Sequence, residues 1–151
     1  MRAVLQRVSH AKVTIDGAVT GEIGTGFLIL LGVAPEDTEE QALYLARKCV
    51  GMRVFSDADD KMNLALADVG GAILAVSQFT LYADCRKGKR PNFMGAARGE
   101  QANRLYEVFV SACREMGIET QTGEFGADMQ VSLCNDGPVT IILDTDEMMR
   151  K

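Results

Sequence analysis

Apolar and β-branched residues recur at Val4, Val8, Val13 and Ile15 and stop at Asp16-Gly17, a dipeptide that supplies the positive φ angles of a tight hairpin turn. The pattern predicts a strand, a turn and a returning strand through Val19 and Ile23. Gly24-Thr25-Gly26 then interrupts the chain. The run Phe27-Leu28-Ile29-Leu30-Leu31 has no polar face, which predicts a strand buried on both sides in the middle of a sheet.

The period then changes. Thr38 and Gln41 have the spacing of a capping box, and Ala42, Leu45, Ala46, Cys49 and Val50 repeat at helical intervals up to Gly51. Ala102, Leu105, Tyr106, Phe109, Val110 and Cys113 mark a second amphipathic helix, closed by Gly117. Residues 52–55, 72–81, 118–122, 129–133 and 139–143 read as further strands, and the acidic, methionine-rich tail from Asp144 is expected to fray. Strands outnumber helices and no 20–50-residue period repeats. The expected fold class is α/β, mixed, with two β layers covered by a layer of two helices, in a single domain over residues 1–151.

A chain of 151 residues, 47% hydrophobic and 25% charged, suits one such domain. The polar N-terminal segment is no signal peptide, and the run at 27–31 is too short to span a bilayer, so a soluble, cytoplasmic protein with no membrane partner is expected. The cysteines Cys49, Cys85, Cys113 and Cys134 are widely spaced and lack nearby histidines, which implies reduced thiols, with Cys49 and Cys113 in the core, and no metal. Asp57, Asp59 and Asp60 suggest a calcium loop, but Met62 stands where glycine is needed and Asp68 where the bidentate glutamate is needed, so a solvated turn is expected. The net charge of -5 argues against non-specific coating of nucleic acid and against a DNA partner.

Few catalytic side chains are available. His10, the only histidine, lies in an early strand, where surface or core placement is the ordinary expectation. No phosphate loop or dinucleotide fingerprint is present, and Gly21, Gly24 and Gly26 open no helix, so no nucleotide cofactor is implied. Two segments place unusual chemistry at strand ends. In Ser77-Gln78-Phe79-Thr80-Leu81, hydroxyl, amide and free backbone N–H groups follow a buried apolar strand. In Asn135-Asp136-Gly137-Pro138-Val139-Thr140, the Gly-Pro pair makes a turn, or a cis unit whose two carbonyls would suit an ammonium group. Arg86-Lys87-Gly88-Lys89-Arg90-Pro91 is a solvated loop or a phosphate-contacting one.

These segments, with Met1-Arg2-Ala3-Val4-Leu5-Gln6-Arg7-Val8 and Phe125-Gly126-Ala127-Asp128-Met129, form an ordered set that resembles the D-aminoacyl-tRNA deacylase family almost from end to end. Asn92 departs from the serine expected after Arg90-Pro91, which bears only on that loop. The resemblance implies a homodimer with a composite active site: Ser77, Gln78, Phe79 and Thr80 of one subunit, and a cis Gly137-Pro138 unit from the other. It implies that Arg7 helps hold this unit and that Phe125, Ala127 and Met129 line a pocket for the terminal adenosine of tRNA. Backbone N–H groups near Phe79 and Thr80 would stabilise the oxyanion, with the ribose 2'-hydroxyl assisting water and no cofactor required. Thr80 as a covalent nucleophile ranks second, because no base lies near it in sequence. The Gly137 and Pro138 carbonyls would hold the α-ammonium group and exclude L side chains, while glycine would pass. Arg86, Lys87, Lys89 and Arg90 would contact the tRNA. The competing expectation is a non-catalytic tRNA-binding module, which binds the aminoacylated 3' end without releasing amino acid.

Overall fold

The computed structural model describes residues 1–150, and in it strand β1 (Arg2–Ile15) is followed by β2 (Ala18–Ile23), β3 (Gly26–Gly32), helix α1 (Glu39–Gly51), β4 (Phe55–Ser56) and β5 (Met62–Leu64). The chain continues through β6 (Ala72–Ser77), α2 (Gly99–Glu115), β7 (Thr120–Thr122), β8 (Gln130–Asp144) and α3 (Thr145–Met148). Asp16 and Gly17 adopt φ angles of 49° and 82°, and the hairpin forms where the dipeptide predicts it. The capping box is also present: Thr38 accepts from the Glu40 N–H, and the Gln41 side chain accepts from the Thr38 N–H.

The main sheet has the order β2-β1-β3-β6-β7, with β8 on the other edge of β1. The β3–β6 and β6–β7 pairs are parallel, and each parallel connection carries a helix, α1 in the first and α2 in the second. Phe27, Ile29 and Leu31 of β3 and Ile73 and Ala75 of β6 pack in one cluster with Leu45 of α1 and Leu105 and Phe109 of α2. Leu28, Leu74 and Val76 belong to a second cluster with Val8, Ala11, Val13 and Ile23. The apolar run at 27–31 is therefore buried on both faces, as its lack of a polar face requires.

The two β layers are one sheet folded on itself. Ala3 and Leu5 belong to the helix-side cluster, whereas Val8, Ala11 and Val13 belong to the other. The change of face coincides with breaks in the β1–β8 register between Gln6 and Val8 and between Val8 and His10. Opposite the first break stand residues 136–139, for Gln6 pairs with Thr140 and Val8 with Asn135. Segments 129–133 and 139–143, read from sequence as two strands, are thus parts of one long strand interrupted by a bulge.

Other expectations are corrected. The strand expected at 72–81 stops at Ser77, and Phe79–Tyr82 forms a 3-10 turn across the end of β3. Gly32 makes this approach feasible: a Cβ there would lie 3.0 Å from Leu81 Cβ and 3.1 Å from the Gln78 carbonyl oxygen. At 52–55 only the last residue is strand, and β4 pairs with β5 around an aspartate turn in which Asp57 Oδ1 accepts from Asp59 and Lys61. The tail is ordered through α3, with Thr145 buried and its hydroxyl accepting from the Met1 ammonium at 2.8 Å. That ammonium, itself fully buried, pairs with Asp37 at 2.9 Å. Among the described residues, no helix is long and apolar enough to cross a membrane.

Candidate active site

β3, β6 and β7 run in the same direction, and a cavity of about 420 Å³ opens beyond their carboxyl ends. Ser77, Gln78 and Phe79 enter it from the end of β6; Phe125, Ala127 and Met129 enter from the loop between β7 and β8. Two segments separated by about a third of the chain in sequence thus share one pocket. Val33, Ala97, Gly99 and Ala102 also line it, and sequence reasoning missed them. The signal was available in topology, since ligands in parallel sheets sit at the carboxyl edge.

None of the lining residues carries a carboxylate, imidazole, thiol, amine or guanidinium. His10 lies exposed beside a different depression. The polar equipment is a serine hydroxyl, the Gln78 amide and the backbone. Gln78 donates from its side chain to the Thr80 hydroxyl. Phe79 and Thr80 open the 3-10 turn, so their N–H groups have no acceptor within it, and none is met elsewhere among the described residues. Phe79 is 55% exposed and stands edge-on to Phe93, with ring centroids 5.1 Å apart.

Arg7, Gly137 and Pro138 form a separate group outside this lining. The Gly137-Pro138 peptide bond is cis. Arg7 donates from Nε to the Asp136 carbonyl at 3.1 Å and from Nη1 to the Val54 carbonyl at 2.6 Å. Asn135 donates to the carbonyls of Arg7 and Val139 at 3.0 and 2.9 Å, closing the base of the bulge. Position 137 tolerates only glycine: its φ is 129°, and a Cβ would meet Val139 Cγ2 at 2.9 Å and Arg7 Nη2 at 3.0 Å.

The basic segment is a loop closed by two backbone hydrogen bonds between Asp84 and Asn92. Arg86 is engaged within it, donating to both oxygens of Asp84 at 2.9 and 2.8 Å. These bonds hold the Asp84 carboxyl down at about 2. Lys87, Lys89 and Arg90 are exposed and form no ion pair among the described residues. Cys49 and Cys113 are buried free thiols, as expected, and Cys85 and Cys134 are exposed.

Fold and cavity together define an α/β domain whose pocket is lined by backbone and uncharged side chains. The model of the D-Tyr-tRNA(Tyr) deacylase family matches residues 4–144, and the chain belongs to that family. It is 60% identical to a D-aminoacyl-tRNA deacylase of Thermus aquaticus over 147 residues, covering 97% of each chain. A Desulfatibacillum aliphaticivorans protein of the same name is 58% identical, with 96% of this chain and 99% of the relative covered. Among solved structures, the c-Myc DNA Unwinding Element Binding Protein matches with a TM-score of 0.89 and 41% identity, over 95% of this chain and 98% of the other. A probable eukaryotic D-amino acid tRNA deacylase, at 16% identity and a TM-score of 0.80 over 94% and 97% of the two chains, shares the fold.

Proposed function

We propose that this protein hydrolyses the ester bond of D-aminoacyl-tRNA, and of glycine mischarged on non-cognate tRNA, as a chiral proofreading enzyme of cytoplasmic translation. The observation that carries the reading is a cavity free of ionisable groups beside two unpartnered amides, those of Phe79 and Thr80. An aminoacyl ester is already reactive, so its hydrolysis needs a placed water and a stabilised oxyanion more than a strong base. Water attacks the ester carbonyl carbon, the two amides receive the charge on its oxygen, and the ribose 3'-oxygen leaves with a proton while the 2'-hydroxyl positions the water. Phe125, Ala127 and Met129 hold the terminal adenosine. Lys87, Lys89 and Arg90 hold phosphates, with Arg86 committed to Asp84.

The α-ammonium group is read by the carbonyls of Gly137 and Pro138 from a second subunit. Val131 lines the cavity, and the bulge begins four residues later at Asn135, about 13 Å away along a strand. An α-ammonium is two bonds from its ester carbonyl, whereas Gly137 and Pro138 stand outside the cavity lining of their own chain, which supports a reading in which a second subunit supplies them. A homodimer would bring the two together, and β8, whose outer edge is unpaired and whose Ile142 is 71% exposed, offers a surface for it.

The test compares release of amino acid from D-tyrosyl-tRNA and L-tyrosyl-tRNA, with and without the terminal 2'-hydroxyl. Fast loss of the D ester alone, dependent on that hydroxyl, is expected. Binding of both without hydrolysis would replace the enzyme by a non-catalytic tRNA-binding module.

A further inference from the structure

Arg2, Gly32 and Asp144 stand side by side on three adjacent strands: Arg2 on β1 pairs with Gly32 on β3 and with Asp144 on β8. All three touch something beyond the sheet. Gly32 seats the 3-10 turn Phe79–Tyr82 against β3. Arg2 donates from Nη1 to the Leu81 carbonyl at 2.9 Å, and its guanidinium lies 4.5 Å from the centre of the Tyr82 ring. Asp144 Oδ2 accepts from Arg2 Nε at 3.0 Å, while its Oδ1 caps α3 by accepting from the Asp146 N–H at 3.0 Å. The three contacts of this one side chain come from two elements, the 3-10 turn and β8, with the planar fork of the guanidinium setting the directions of its hydrogen bonds.

The turn held in this way carries the free amides of Phe79 and Thr80 at its start and the clamped carbonyl of Leu81 near its end. In so short a turn the peptide planes are geometrically coupled, so the orientation of the Leu81 carbonyl constrains that of the amides before it. We infer that Arg2 is a positioning residue for the reaction: it holds the Leu81 carbonyl and Tyr82 ring so that the Phe79 and Thr80 amides point into the cavity. This rests on the reading of 77–80 as the oxyanion-binding segment. Arg2 itself lines a different depression, with Leu81, Ile142 and Asp144, and does not touch the substrate cavity.

The test uses the full chain with Arg2→Gln and Arg2→Lys, assayed well below the unfolding temperature. Both kcat and KM for D-tyrosyl-tRNA are measured, and the amide signals of Phe79 and Thr80 are followed by 1H-15N NMR. Arg2→Gln is expected to lower kcat about 10- to 100-fold, the scale of a small misplacement of catalytic groups. KM should stay within about twofold, because ground-state binding is untouched. Arg2→Lys, which retains a cation but not the fork, should fall between the two, and both variants should shift the two amide signals. Folded variants that keep wild-type kcat, or that lose it with both amide signals unmoved, would overturn the inference. If the wild-type protein itself releases no amino acid, the proposed function fails, and the amide signals alone decide whether Arg2 orients the turn.

Discussion

Replacing Arg7 by methionine removes the guanidinium while keeping an apolar stem in a site where the arginine side chain is 11% exposed. Two charge-assisted hydrogen bonds disappear, to the Val54 carbonyl at 2.6 Å and to the Asp136 carbonyl at 3.1 Å. Hydrogen bonds to charged groups contribute roughly 1.5–3 kcal/mol each. The added ion pair to Asp136 is 3.6 Å long with a 60%-exposed carboxylate, and contributes at most about 1 kcal/mol. The loss should total about 3 kcal/mol, the low end of that sum, because the bond to the Asp136 carbonyl is exposed and only the bond to the Val54 carbonyl is partly buried. For a domain of this size that lowers Tm by about 6–12 °C.

The same loss releases the bulge at residues 136–139 from β1, retaining only the Asn135 bonds at its base. Discrimination between D and L esters should then fall by about tenfold or more, since the carbonyls proposed to fix the ammonium are no longer held. Thermal unfolding by circular dichroism and release rates for matched D- and L-tyrosyl-tRNA measure the two effects. A variant with Tm within about 2 °C of wild type and an unchanged D-to-L ratio would refute the anchoring role.

Four further outcomes are expected. Changing Lys87, Lys89 and Arg90 together to glutamine should raise KM for tRNA and reduce the slope of log affinity against log salt by about 2 to 3; an unchanged slope would remove the loop from the RNA contact. Thr80→Ala should keep kcat within about tenfold of wild type, whereas a loss of about 1,000-fold or more would restore Thr80 as a nucleophile. Asp37→Asn should cost about 3 kcal/mol by leaving the buried Met1 ammonium without a counter-charge, read as a lower urea midpoint at unchanged slope. Burial raises the Cys113 thiol to about 12 and, chiefly by desolvation, the Tyr106 hydroxyl to about 12. The folded state thus holds protons that the unfolded chain releases from about pH 9 upward. Stability should be intact below pH 9 and fall by roughly 1 kcal/mol per pH unit for each group, from about pH 9 to 12 for Cys113 and from about pH 10 to 12 for Tyr106; a flat urea midpoint from pH 8 to 10.5 would contradict this.

Local chemistry made much of the fold legible. Asp16-Gly17, the Thr38–Gln41 box and the face-less run at 27–31 each state a conformation that the neighbouring residues suffice to produce. What failed depended on contacts distant in sequence. Nothing in Phe79-Thr80-Leu81 signals a turn in place of a strand; the reason is Gly32, 47 residues before Phe79, which lets the chain cross β3. The joining of 129–133 to 139–143 was hidden for a related reason, because Gly-Pro punctuates a strand locally but sits in a bulge whose register β1 maintains on both sides. The tail from Asp144 looked frayed because its anchor, the Met1 ammonium, lies at the opposite end of the chain.

The candidate site divides along the same line. Ser77 to Thr80 and Phe125 to Met129 stood out as segments because polar or small residues follow apolar strands, yet only the parallel order of β3, β6 and β7 makes Ser77, Gln78 and Phe79 one wall of a cavity and Phe125, Ala127 and Met129 another, with Thr80 just outside the lining. Val33, Ala97, Gly99 and Ala102 are apolar or small and could serve any core, so their part in the pocket is a property of position alone. A site built from backbone amides, as proposed, would leave this kind of trace: an N–H is present in every residue but proline, and sequence controls only its direction. The residues worth mutating are then those that aim the backbone, Arg7 beneath the Gly-Pro bulge and Arg2 beside the 3-10 turn, rather than those whose side chains face the substrate.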